Sequence, residues 1–192
     1  MKIKGIAFLA SAGVALAASP AVAQDAYEGS FYIGPQIGFH SAELDENDPT
    51  LAGLDIDDSG VIFGGVIGGD LTIGNTPFVI GAEADANTGT GPVQSDYGAV
   101  GYIGYQLSPN AQINVRGGWR EVKVDFYEVT GLQSGVNPAI DSLFFNADNQ
   151  IDDYTVGVGA RFGYGNFAVR AAVDTLAFDS VRGTVAVVLM LR

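Results

Sequence analysis

A chain of 192 residues with 22 Asp and Glu against nine Lys and Arg carries a formal net charge of −13, which excludes nucleic-acid binding through phosphate neutralisation. It contains no cysteine, so neither a disulfide frame nor a thiolate metal centre is available. Hydrophobic residues make up 47% of the chain, yet past the leader no apolar run reaches the roughly 20 residues of a membrane-spanning helix, so the apolar content must lie along strands.

The first element is a leader. Lys2 and Lys4 precede an apolar run from Gly5 to Ala18 and the small-residue site Ala21-Val22-Ala23. This order predicts a secretory signal peptide over residues 1–23; the run is too short for a spanning helix and is followed by Pro20. Residues 24–192 are then expected to form one exported domain. Once Lys2 and Lys4 are removed with the leader, seven basic residues remain against 22 acidic ones, and no Lys or Arg occurs between Gly5 and Val115. A soluble domain scatters both signs over its surface, so much of this chain is expected to face something other than water.

Eight segments then alternate with period two, the spacing that sends successive strand side chains to opposite faces. In Phe31 to His40, Phe31, Ile33, Ile37 and Phe39 oppose Tyr32, Gly34, Gln36, Gly38 and His40. In Val61 to Ile73, Val61, Phe63, Ile67 and Leu71 oppose Gly64, Gly68 and Asp70, and a turn at Gly74 to Pro77 follows. From Phe78, the set Phe78, Ile80, Ala82 and Ala84 opposes Val79, Gly81, Glu83 and Asp85. From Tyr97, the set Tyr97, Ala99, Ile103 and Tyr105 opposes Gly98, Val100, Tyr102 and Gln106. After a turn at Ser108-Pro109-Asn110, Ile113, Val115 and Trp119 oppose Gln112, Arg116, Gly118 and Arg120. Tyr154, Val156, Val158 and Phe162 oppose Gly157, Gly159 and Arg161; Phe167, Val169 and Val173 oppose Ala168, Arg170 and Asp174.

The last segment, Gly183 to Leu191, is apolar on both faces and leaves its register open. Past Glu121 and past Leu176 the apolar parity flips, which suggests bulges or protruding strand ends. Long connections are expected at Ser41–Ser59, Asn87–Ser95 and Tyr127–Gln150, with tight turns between them and a short link near Asp179-Ser180. Short turns on one side and long loops on the other characterise bacterial outer-membrane barrels.

The aromatic residues of the apolar face fall into two groups. Phe31, Phe78, Tyr105, Phe162 and Phe167 are expected near one rim, and Phe39, Phe63, Tyr97, Trp119 and Tyr154 near the other. Girdles of this kind flanking an aliphatic band suit lipid, where rings favour headgroup depth. The opposite face carries Asp70, Glu83, Asp85 and Asp174 with Arg116, Arg120, Arg161 and Arg170, four acids for four bases. Such a set belongs in a narrow lumen, where each buried charge requires a partner.

The opening Phe31-Tyr32-Ile33-Gly34, the segment Gly81-Ala82-Glu83-Ala84-Asp85 and the strand Val156 to Phe162 resemble the eight-stranded outer-membrane β-barrel superfamily. That superfamily includes the membrane domain of outer-membrane protein A and opacity-type surface antigens. The resemblance implies an all-β, eight-stranded antiparallel up-and-down transmembrane barrel in the bacterial outer membrane. Outer-membrane lipid, lipopolysaccharide and the barrel-assembly machinery are its expected partners. Members usually end in an aromatic residue that the machinery reads; this chain ends Leu189-Met190-Leu191-Arg192, which predicts less efficient assembly. A peptidoglycan-binding module is expected to be absent.

Motifs that would carry chemistry are few. There is no G-x-S-x-G elbow, complete G-x-G-x-x-G or P-loop. Some small outer-membrane barrels modify lipid A with a serine and a histidine, but His40, the single histidine, has only Ser41 beside it, which points to the other face. His40 is therefore expected to be a solvated rim residue, and no enzyme activity, cofactor or metal is expected. Asp55 to Gly60 begins like a calcium loop, but Val66 stands where a bidentate Glu belongs, so the segment reads as a solvated acidic loop. The function expected is structural or interactive, with acidic loops displayed to an extracellular ligand. The alternative is a narrow ion channel, with inward glycines leaving water pockets between the charges.

Overall fold

The computed structural model describes residues 29–42, 59–91, 93–124, 150–177 and 180–191; the expected signal peptide and the acidic segment 43–58 lie outside them. The strands are β1 (Gly29–Ala42), β2 (Ser59–Thr72), β3 (Phe78–Gly89), β4 (Val93–Ser108), β5 (Ala111–Val124), β6 (Gln150–Tyr164), β7 (Phe167–Leu176) and β8 (Ser180–Leu191). Each pairs antiparallel with its chain neighbours and β8 returns to β1, so the sheet is a closed up-and-down barrel. Closure leaves no strand edge with unpaired backbone groups. No helix among the described residues is long and apolar enough to cross a membrane.

The register also fixes the tilt. Pairings followed around the barrel from Tyr32 through Gly68, Glu83, Val100, Gly118, Thr155, Leu176 and Ser180 return to β1 at Ala42, ten residues further along. A stagger of this kind tilts the strands by roughly 35–45° and leaves an interior that side chains can fill.

The tight connections gather at one end. Gly74 (φ 55°) and Gly165 (φ 61°) adopt the left-handed conformation that such turns require. The hydroxyl of Thr76 donates to the Ile73 carbonyl at 2.6 Å. The opposite, loop end carries the connections at 43–58 and 125–149. It also carries two shorter links. The expected long loop Asn87–Ser95 is mostly strand, since β3 continues to Gly89 and β4 begins at Val93. One polar residue of this segment points inward and is satisfied there: Asn87 Nδ2 donates to Asp85 at 2.7 Å and to the Asp96 carbonyl at 3.2 Å.

The flip past Glu121 coincides with an irregularity in the β4–β5 ladder, whose register shifts between Val93 and Ser95 opposite Val124 and Lys123, and the flip past Leu176 falls at the end of β7. β5 and β6 pair without interruption from Ala111↔Phe162 to Lys123↔Gln150. Val122 and Leu176 stay in phase with the inward face and join Ile62 and Val93 in a buried cluster. Apolar residues change parity there because the lumen itself turns apolar at the loop end. In β8, Arg182, Thr184, Ala186, Val188 and Met190 are buried while Val181, Val185, Val187, Leu189 and Leu191 are exposed. It reads as apolar on both faces because Ala186, Val188 and Met190 pack inside against Tyr32, Val66 and Ala168.

The outward face is a wide apolar surface. Phe31, Phe78, Tyr105, Phe162 and Phe167 are exposed toward the turn end, and Phe39, Phe63 and Tyr154 toward the loop end. Phe78 and Tyr105 meet edge to face at 5.5 Å, and Tyr97 and Trp119 at 6.3 Å. Between them lie exposed Ile33, Ile37, Ile67, Ile80, Ile103, Val115, Val158, Val169 and Val173.

Candidate functional site

Alternation in eight strands delivers one row of side chains per strand to the barrel axis. Glycine makes room for the large ones. A Cβ on Gly68 would meet the ring of Tyr32, one on Gly81 the ring of Tyr102, and one on Gly64 the amide of Asn87. The space expected to hold water pockets is thus occupied, at these positions, by side chains of neighbouring strands.

Arg116, Arg120, Arg161 and Arg170 all point inward, as do Asp70, Glu83, Asp85 and Asp174, and each takes part in an ion pair. Nearest the turn end, Arg161 Nη2 binds Asp70 at 2.5 Å and Gln112 at 2.8 Å, with its guanidinium 5.0 Å from the centre of the Tyr32 ring. Tyr102 donates to the same Asp70 at 3.1 Å. In the middle, Glu83 takes both prongs of Arg170, one of them at 2.6 Å, and the hydroxyl of Tyr32 at 2.5 Å. Arg116 lies between Glu83 (2.5 Å) and Asp174 (3.1 Å), held by charge rather than by aligned hydrogen bonds.

Toward the loop end, Arg120 grips Asp85 and also reaches Asp96. Arg182 binds Asp85 at 2.5 Å, Asp96 at 2.8 Å and Asp174 at 3.3 Å. The network therefore extends beyond the eight charges read from the sequence, to Asp96 and Arg182, and five carboxylates face five guanidiniums. Both additions had a signal in their parity, since Asp96 is in phase with Gly98 and Tyr102, and Arg182 with Thr184. Asp96 falls between the expected loop Asn87–Ser95 and the segment that starts at Tyr97, and Arg182 just before the segment Gly183 to Leu191, whose register the alternation leaves open.

Burial in a medium that solvates ions poorly gives each of these charges a strong requirement for its partners. Gln36 bridges two of the layers, donating to Asn87 at 2.8 Å and to Asp85 at 3.2 Å while its Oε1 accepts from Arg170 at 3.5 Å.

His40 departs from expectation. It is 4% exposed, not a solvated rim residue, because β1 runs on to Ala42 and the inward parity carries His40 opposite Arg182 and Gly60. Its Nε2 lies 3.1 Å from Ser180 Oγ and its Nδ1 3.6 Å from Asp96 Oδ2. Ser41, the neighbour considered from sequence, is on the other face; Ser180 comes from 140 residues away. Val66, at the missing calcium-ligand position, is buried in the lumen.

No protein-family model matches the chain, and no curated protein matches it. Solved structures do. The N-terminal β-barrel domain of Pseudomonas aeruginosa OprF superposes with a TM-score of 0.51 at 12% identity, covering 85% of this chain and 100% of that one. Neisserial surface protein A (NspA) gives 0.49 at 14% identity, over 85% of this chain and 99% of that one. Ail, the attachment invasion locus protein of Yersinia pestis, gives 0.48 at 11%, over 88% and 100%. At these identities the likeness is one of fold, and OprF carries it. Together with the closed ring of eight antiparallel strands, it shows that the chain has the fold of the small eight-stranded outer-membrane β-barrels.

Proposed function

We propose that this chain is an outer-membrane barrel with a structural or surface-interaction role, anchored by its sheet and displaying acidic loops to the outside. The observation that carries this reading is the inversion of the barrel. Its outward face is aliphatic between two aromatic groups, while ten charges neutralise one another inside. In water such a surface would drive association; in a bilayer it is the solvated state.

The leader directs export, the assembly machinery inserts the barrel, and lipopolysaccharide surrounds its outer half. The narrow-channel alternative is less favoured, because tyrosines, arginines and an apolar cluster at the loop end fill the axis. The role requires no cofactor and no nucleic acid. The acidic segment 43–58, beside an anionic leaflet, suits a ligand bridged by divalent cations.

The test is refolding of residues 24–192 in detergent, which yields a β-rich form of heat-modifiable gel mobility; a helical or disordered spectrum in micelles overturns the membrane assignment. Deleting Glu43 to Asp58 abolishes calcium-dependent binding to lipopolysaccharide or host-surface preparations. Unchanged binding removes the loop-ligand reading and leaves the barrel reading intact.

A further inference from the structure

Ser180, His40 and Asp96 stand on β8, β1 and β4 and meet inside the loop end of the barrel. Ser180 Oγ is 3.1 Å from His40 Nε2, within hydrogen-bond reach. The second ring nitrogen, Nδ1, faces Asp96 Oδ2 at 3.6 Å and has no hydrogen-bond partner among the described residues. Asp96 is held in place from behind by Arg120 and Arg182. A hydroxyl, an imidazole and an orienting carboxylate in this order form the constellation of an activated nucleophile, and such contacts tighten when substrate binds.

The surroundings restrict what can reach Ser180. Ser180 is the most open of the three, 8% exposed against 4% for His40 and 0% for Asp96. It opens β8 directly across from Leu176, a member of the apolar cluster with Ile62, Val93 and Val122. Ile62 lies one inward position below Gly60, the β2 partner of His40. The site therefore has a polar side that can move a proton, bordered by close-packed apolar side chains. With the interior filled by side chains, only an ester of a few carbons can reach Ser180.

We propose that Ser180 is a nucleophile activated by His40, and that the loop end of this barrel hydrolyses small carboxylic esters, an activity additional to its scaffold role. His40 must accept on Nε2 and carry its proton on Nδ1, the side that faces Asp96. Ser180 Oγ bonds to the ester carbonyl carbon as its proton passes to Nε2. The ester C–O bond then breaks, and the alcohol leaves with that proton. A water molecule gives a proton to Nε2 and adds to the acyl carbon; the Ser180 ester bond breaks, Oγ recovers the proton, and the carboxylic acid departs.

The experiment uses residues 24–192 refolded in detergent, with the heat-modifiable gel shift as the check of folding. A fluorophosphonate probe is expected to form an adduct that peptide mass spectrometry places on Ser180, and p-nitrophenyl acetate and butyrate to be hydrolysed. Ser180→Ala removes the adduct and the hydrolysis. His40→Gln keeps a polar side chain beside Ser180 but cannot take up its proton, so the labelling rate falls by roughly 100-fold while the gel shift persists. A folded wild-type barrel with no adduct overturns the proposal, as does ester hydrolysis undiminished in Ser180→Ala or a His40→Gln protein labelled at the wild-type rate.

Discussion

Asp85 of β3 and Arg120 of β5 are joined by two contacts, of 2.8 and 3.1 Å, over the strand that separates them in the sheet. Arg182 of β8 reaches the same carboxylate at 2.5 Å. One side chain thereby ties together three strands that share no ladder. Asp85→Ala leaves two buried guanidiniums dependent on Asp96 and Asp174 alone. The expected loss is about 3–5 kcal/mol, the cost of an uncompensated buried charge. Urea unfolding in lipid vesicles measures it, and a loss near zero would show that the network does not hold the barrel.

Glycines inside and outside the barrel differ in what they tolerate. A Cβ on Gly81 would meet the Tyr102 ring and lie 2.6 Å from the Gly69 carbonyl oxygen, whereas one on Gly65 finds nothing nearer than the Gly34 carbonyl oxygen at 3.5 Å. Gly81→Ala is expected to cost about 1–3 kcal/mol by overpacking. Gly65→Ala is expected to leave the urea midpoint within error of the wild type, and equal effects would place the two residues in similar surroundings.

Val158 lies on β6 midway between Tyr154 and Phe162, outward and 57% exposed. That is the position of the bilayer centre if the rings mark its two surfaces. Val158→Arg is expected to destabilise the barrel in vesicles by about 2–4 kcal/mol. An arginine tolerated there without cost would place this face in water.

Trp119 is the chain's one tryptophan and stacks edge-on with Tyr97 near the loop end. At an interfacial depth its fluorescence is quenched more by lipids brominated near the glycerol than by those brominated at the chain end. The reverse order would move the outer aromatic group into the hydrocarbon.

Local alternation determined much of this protein from the sequence alone. It placed the apolar and polar faces of the strands, the turns at Gly74 to Pro77 and Ser108 to Asn110, and the inward direction of eight charges. The physical reason is that a strand has a period of two whatever it pairs with. Tertiary structure decided what alternation cannot see: which inward residue meets which. Closure with a ten-residue stagger brings His40 to Ser180 and Asp96 to Arg182, and gathers Val122 and Leu176 with Ile62 and Val93 into one apolar cluster. Those contacts depend on the relative slide of strands far apart in the chain, and a repeat of two residues is identical at every second register, so only the closed barrel selects one.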